Sequence, residues 1–328
     1  MYETIWNTVA DHLSSDRMQA DVAEFFQESR WSSFDHINTL AQRIAGKLEA
    51  IGMEVELLEF PADGKTCYGG WKLPKAYDVD SARLVVLSDE GEGEILADYR
   101  ENPTCLILYS QPTPSEGIAA EVVIADSMAE IISDRVSGRL VLTSQMGIPF
   151  SRAIQKAGGL GMISDHGPPF GPRQLSSDRE YLNRVNRWHN YTIPPWDEPN
   201  KGFGFALSAE QGRRLRSRIA IGETVRLKAM VETRHYDGVL PLVSGRLRGK
   251  IAEEIAIVGH FDEFGADDNC SELAVGLESV RAILAMLNFD NDGTVTIDDY
   301  DLWKNTYGST TNLAAVGNVI WRDGAWKR

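Results

Sequence analysis

The chain has 328 residues, enough for two domains that each bury a core of their own. Its 43% hydrophobic and 25% charged content is ordinary for a globular protein, and no apolar stretch approaches the length of a membrane span. Acidic residues outnumber basic ones 48 to 33, and the formal net charge of −15 argues against nucleic acid or an anionic membrane as the main partner.

The opening segment MYETIWNTVADHL reads as an amphipathic helix with early acids rather than a signal peptide. A second helix is predicted from Ser33 to Ile51, where Phe34, Ile37, Leu40, Ala41, Ile44, Leu48 and Ile51 recur at helical spacing, with Gly52 as its stop. Met53 to Phe60 alternates as a strand, and YGGWKLPKAYDV has the punctuation of an ordered loop. Between residues 83 and 232 the texture changes to short apolar runs parted by turn signals: Arg83–Leu87, Cys105–Tyr109, Glu121–Ala125, Leu140–Thr143 and Gly161–Ser164. That predicts a compact strand-rich domain. Within it residues 136–165 read as strand, short helix, strand, with Gly158, Gly159 and Gly161 easing the passage from helix to strand.

Residues 166–201, carrying Trp188, His189, Tyr191 and Trp196, read as a long surface loop. Ser208 with Gln211 three residues on marks a helix start. From Val239 an α/β texture returns: LVSGRLRG, the apolar strand-like run EIAIVGH, a loop, and a helix from about Ser271 to Met286. Cys67, Cys105 and Cys270 are too far apart for a disulfide framework or a CxxC pair, and Cys105 reads as a small buried hydrophobe.

Two constellations carry chemistry. In GHFDEFGADDN, residues 259–269, a strand would deliver His260 to its C-terminal end, where ligand sites of open α/β sheets lie. Asp262 and Asp268 follow, and imidazole with carboxylate is zinc-binding chemistry. On spacing alone a solvated acidic turn is the commoner reading. In NFDNDGTVTIDDY, residues 288–300, Asn288, Asp290 and Asp292 alternate, Gly293 turns, Thr294 offers a carbonyl and Asp299 stands at loop position twelve. That is calcium-loop spacing, with a solvated acidic linker as the alternative.

GHFDEFGADDN followed by a helix resembles the metal loop of the co-catalytic di-zinc aminopeptidases related to glutamate carboxypeptidase. The resemblance implies that His260 and Asp268 are zinc ligands and that Asp262 is the catalytic partner orienting the imidazole. VSGRLVLTS…AIQKAGGLGMISD resembles the protease-associated domain that such peptidases carry before this loop. The tail resembles a dockerin-type calcium repeat of secreted bacterial proteins.

The implied architecture is an α/β, phosphorylase/hydrolase-like peptidase domain interrupted by a strand-rich α+β insert. Residues 1–82 would be the first peptidase part, 83–232 the insert, 233–286 the metal-loop part and 287–328 the calcium tail. Such a protein removes N-terminal residues from peptides. Glu272 and Glu278 do not form the adjacent acidic pair of the family, and no histidine follows His260, so the site is expected to be catalytically incomplete in these residues. The alternative is a non-enzymatic scaffold acting through the insert and the tail, with a protein partner for the tail. The tail favours an extracellular setting, although no signal peptide is visible.

Overall fold

The computed structural model describes residues 10, 12–31, 33–167, 184, 202–247, 256–262, 265–287, 320–322 and 325–327. These residues are mixed α/β, as expected, and divide into two units: residues 1–32, 36–59 and 241–328 in the first, and residues 33–35 and 60–240 in the second.

In the first unit, helix α1 (Ser15–Ser29) begins at Ser14, whose hydroxyl accepts from the Arg17 N–H at 3.2 Å. Helix α2 (Phe34–Ala50) follows the predicted spacing. It ends because Gly52 takes φ +85°, a conformation open to glycine, while Met53 N–H returns to the Leu48 carbonyl at 3.1 Å. Strand β1 (Glu54–Ala62) then pairs with β11 (Gly238–Arg246). The third long helix among the described residues of this unit is α5 (Ser271–Leu287). Phe25 of α1, Leu40 of α2, and Cys270 and Leu277 beside and on α5 form its buried apolar cluster.

That cluster adjoins buried charge. Glu278, with no exposed side-chain surface, accepts from Ser14 N–H at 2.7 Å and from Arg17 Nε and Nη2 at 3.1 and 2.5 Å. Asp21 accepts from Lys47 Nζ at 2.9 Å and Arg281 Nη1 at 2.6 Å. Burial pushes both carboxyls up, but for Glu278 the Arg17 and Ser14 donors, and for Asp21 the Lys47 and Arg281 donors, outweigh it and hold them below the ordinary range. His36, whose position on the polar side of α2 predicts a solvated ring, instead reaches Glu28 Oε2 at 2.8 Å and stacks on Trp31.

The second unit is built on a seven-stranded mixed sheet, ordered β5-β4-β10-β6-β7-β8-β9. Its strands are β4 (Ala76–Ser88), β5 (Gly91–Asp98), β6 (Ile118–Ile124), β7 (Leu140–Thr143), β8 (Gly161–Ser164), β9 (Phe203–Ala206) and β10 (Arg226–Tyr236). β10 pairs antiparallel with β4 and β6, and β6 to β9 run parallel. The span 83–232 lies inside this unit; β4 starts upstream of it and β10 runs beyond it because the two strands pair from Ala76↔Tyr236 to Leu87↔Arg226.

Helix α3 (Ile148–Lys156) connects β7 to β8 as expected, with Gly158 at φ +84° in the return. Helix α4 (Ala209–Ala220) carries the anticipated capping box of Ser208 and Gln211. Apolar residues Ile107, Val141, Ile154 and Met162 close the core between sheet and helix.

Two expectations fail here. Cys105–Tyr109 is not a strand: Pro103–Cys105 is a 3₁₀ turn held by the Asn102 side chain, and Leu106 and Ile107 only bridge to the β9 edge. Proline lacks the ladder donor, and Tyr109 at φ +60° bends the chain away. Cys105 is buried as anticipated, and burial lifts its thiol to about 12. YGGWKLPKAYDV is not all loop: β2 (Cys67–Tyr68) and β3 (Trp71–Lys72) form a hairpin across Gly69-Gly70, and β4 has begun by Ala76.

Just beyond the ends of β6, β7 and β8 stand Asp126, Ser144 and Asp165. The Arg216 guanidinium from α4 fills the space between them, 2.7 Å from Asp165 Oδ2 and 2.7 Å from Asp126 Oδ2. This is the end of a parallel sheet where ligands commonly sit, and here a side chain occupies it.

Candidate functional site

The run EIAIVGH, residues 254–260, is expected to be a strand; its described part, residues 256–260, is not one. Residues 256–262 pair with no described strand, and Ile257 and Val258 are 61% and 83% exposed. An aliphatic run of this kind becomes a buried strand only when flanked on both edges and covered on both faces. The described strands of this unit, β1 with β11 and residues 320–322 with 325–327, pair with each other and not with this run.

His260 is nonetheless held in place. Its Nε2 lies 2.6 Å from Asn269 Nδ2, and its Nδ1 lies 3.7 Å from Glu272 Oε2. Asn269 is buried within a π-helical turn, Ala266–Cys270, that feeds directly into α5. Cys270, also buried, packs in the helical core and sits 3.2 Å from Ser29 Oγ. The wide turn is thus anchored at its C-terminal end, and Asn269 is carried towards the imidazole. Glu272 occupies the first turn of α5, where the helix dipole favours an anion.

Of the sequence-predicted residues, His260 and Asp262 lie on the exposed loop, and the Asp268 backbone lies in the π turn while its side chain is outside the described atoms. The calcium-loop residues Asn288, Asp290, Asp292, Thr294 and Asp299 lie outside the described residues, as do Trp188, His189, Tyr191 and Trp196. Asn269 and Glu272 were not anticipated at the imidazole. Their spacings do carry a signal, since Glu272 stands four residues after Asp268 and three after Asn269, on one helical face. Glu278 is excluded from the site by its buried partnership with Arg17.

Among the described residues no group of three or more His, Cys, Asp and Glu side chains converges. The imidazole and carboxylate that do meet are the donor types zinc takes. Bonds of about 2.0–2.1 Å at a tetrahedral angle place two donors roughly 3.4 Å apart, close to the spacing of His260 Nδ1 and Glu272 Oε2. Both side chains are about half exposed, at 54% and 51%, so an ion can reach them from solution.

No protein-family model and no curated protein sequence matches the chain. Among solved structures, a peptidase M28 precursor from Shewanella amazonensis is similar at 11% identity and TM-score 0.51, over 72% of this chain and 51% of that one. BSAP, a zinc aminopeptidase from Bacillus subtilis, is similar at 14% identity and TM-score 0.51, over 83% and 58%. The chain shares the fold of these peptidases. It spans little more than half the length of either.

Proposed function

We propose that the chain is a zinc metallo-aminopeptidase-like protein, with the metal loop around His260 and a protease-associated insert formed by the sheet-bearing unit. The observation that carries this reading is His260 fixed beside the π turn that bears Asp268, on a fold shared with a zinc aminopeptidase. His260 and Asp268 would hold zinc, with Asp262 orienting the imidazole. Zinc, when bound in such a site, supplies Lewis acidity and a readily deprotonated water. The residues of this chain bind and orient.

The group this chain is proposed to lack is a glutamate base for proton transfer. Glu278 is saturated by Arg17, Arg281 and the Ser14 N–H, so it is not free to move a proton at a substrate. Such transfer typically contributes about 10²–10⁴-fold to rate. The 328 residues are therefore proposed to be catalytically incomplete. With added zinc, hydrolysis of aminoacyl-nitroanilides should be absent from both the chain and a His260→Ala variant. Robust turnover lost in His260→Ala would overturn incompleteness and leave the peptidase reading standing.

The second reading, a peptide-binding scaffold, is favoured by the Tyr68–Trp71 hairpin, where Trp71 is 78% exposed. Peptide titration that quenches fluorescence in the chain but not in Trp71→Ala would support it. The tail loop Asn288–Asp299 is proposed to bind calcium weakly and to meet a protein partner, as an extracellular module would. Calorimetry on the whole chain should show millimolar calcium binding that Asp292→Ala removes.

A further inference from the structure

The hairpin of β2 and β3 joins two chemistries on one small ribbon. Tyr68 stands directly opposite Trp71, and Cys67 opposite Lys72, so the aromatic pair shares one face and Lys72 lies on the other. Trp71 is 78% exposed and Tyr68 49%, the latter meeting Phe60 edge-on at 5.1 Å between ring centroids. A side chain added at Gly69 or Gly70 would meet no atom within 4 Å, so the tip projects into open space. Tryptophan is well buried on average, and it is enriched where proteins meet partners.

The ribbon is held in shape before any partner arrives. Asp63 and Lys75 form a β-bridge at its base, and Leu73 N–H bonds the Thr66 carbonyl at 2.9 Å. The Asp63 carboxylate accepts from the Lys65 and Thr66 N–H groups at 2.7 Å each and from the Thr66 hydroxyl at 2.8 Å. Order of this kind lowers the entropy that binding must offset.

Its charge also sets it apart. Acidic residues outnumber basic ones 48 to 33 in the chain, yet residues 60–75 hold Lys65, Lys72 and Lys75 against one acid, Asp63. Lys75 is matched by Asp237 at 3.2 Å, and Asp63 is engaged in its own turn. Lys65, which is exposed, and Lys72 keep the ribbon cationic.

We propose that the Tyr68–Trp71 hairpin binds an extended peptide of alternating apolar and acidic residues, with its apolar side chains on the aromatic face and its carboxylates towards Lys72 and Lys65. This rests on the scaffold reading above and names the peptide class that reading leaves open. Side chains of an extended peptide alternate with a period of two, as the hairpin's own do, so one peptide meets both faces at once. Other occupants fit less well. Electrostatic attachment to a membrane takes clusters of about four to eight cationic residues. A second copy of the hairpin would set lysine against lysine. Charges farther than about 8 Å are largely screened at physiological salt, so the lysines beside a bound peptide outweigh the distant acidic excess.

The test uses the whole chain and a short fluorescein-labelled peptide alternating leucine and glutamate, read by fluorescence anisotropy. One control peptide replaces glutamate with lysine, and another replaces leucine with serine. Vesicles of phosphatidylcholine and phosphatidylserine are sedimented with the chain separately. The leucine–glutamate peptide should bind at least about 10-fold tighter than either control. Trp71→Ala should weaken it at least about 10-fold, as truncating an aromatic anchor does, and Trp71→Phe should recover most of that loss. Lys65→Glu combined with Lys72→Glu should weaken the acidic peptide about 10-fold and strengthen the leucine–lysine one, a reversal that mere misfolding would not produce. Thermal unfolding should be unchanged in every variant, because the altered side chains lie at the surface. Equal binding of both leucine peptides, lost in Trp71→Ala, overturns the acidic preference and leaves the scaffold reading intact. Vesicle binding lost in Trp71→Ala, without peptide binding, overturns the inference in favour of a membrane. Binding to none of the probes overturns the inference and the scaffold reading together and leaves the zinc reading untouched.

Discussion

Two short aliphatic runs, LVLT at residues 140–143 and AIVG at residues 256–259, have the same texture and opposite fates. The first is β7, fully buried between β6 and β8, with Leu140, Val141 and Leu142 at 0% exposure. The second stands exposed beside α5 with no described strand against it. The difference lies in the neighbours. β7 is flanked by strands that its own unit supplies within about twenty residues on either side in sequence, while no described strand pairs with the later run. Glu272 and Glu278 repeat the lesson on one helix. One meets three cationic or N–H donors and is buried, and the other faces a single imidazole in water.

The largest expected effect is at Glu278. Glu278→Ala removes the acceptor from Arg17 and Arg281 and should destabilise the first unit by about 3–5 kcal/mol, toward the lower end because Arg17 is half exposed and stays hydrated. Urea unfolding followed by circular dichroism would measure it, and a loss below about 1 kcal/mol would show that the network adds little. Its pH dependence has a definite sign. Asp21 and Glu278 are held below their ordinary values in the folded chain, so their contribution is complete above about pH 4–5 and fades as pH falls through the lowered folded values. Glu278→Gln should flatten that acid-side decline.

Next comes the contrast between the two runs. Leu142→Ala opens a hole in a fully buried strand and should cost about 2–5 kcal/mol. Val258→Ala should change stability by less than about 0.5 kcal/mol. Equal losses at the two positions would mean that residues 256–259 are buried in solution. Between them stands Ser208→Ala, which removes the hydroxyl accepting from Gln211 N–H and should cost about 1 kcal/mol by thermal unfolding.

Local signals account for much of the fold. The α2 stop at Gly52, the capping box at Ser208, β7, β8 and the intervening α3 were all legible, because periodicity and caps act over a few residues. So was the α/β class. The edge strands β5 and β9 and the β2–β3 hairpin were not, since Gly-rich or charged edges lack a strong alternating pattern until a neighbour is present.

What only the tertiary structure decided was partnership. It made Glu278 a buried ion, brought Glu272 and Asn269 to His260, filled the parallel-sheet end with Arg216, and left Ile257 and Val258 in water. Each of these depends on residues brought together from separate elements, some more than 200 positions apart in the chain. Side-chain patterns over a few residues determine which elements form, whereas burial and charge pairing depend on which elements meet.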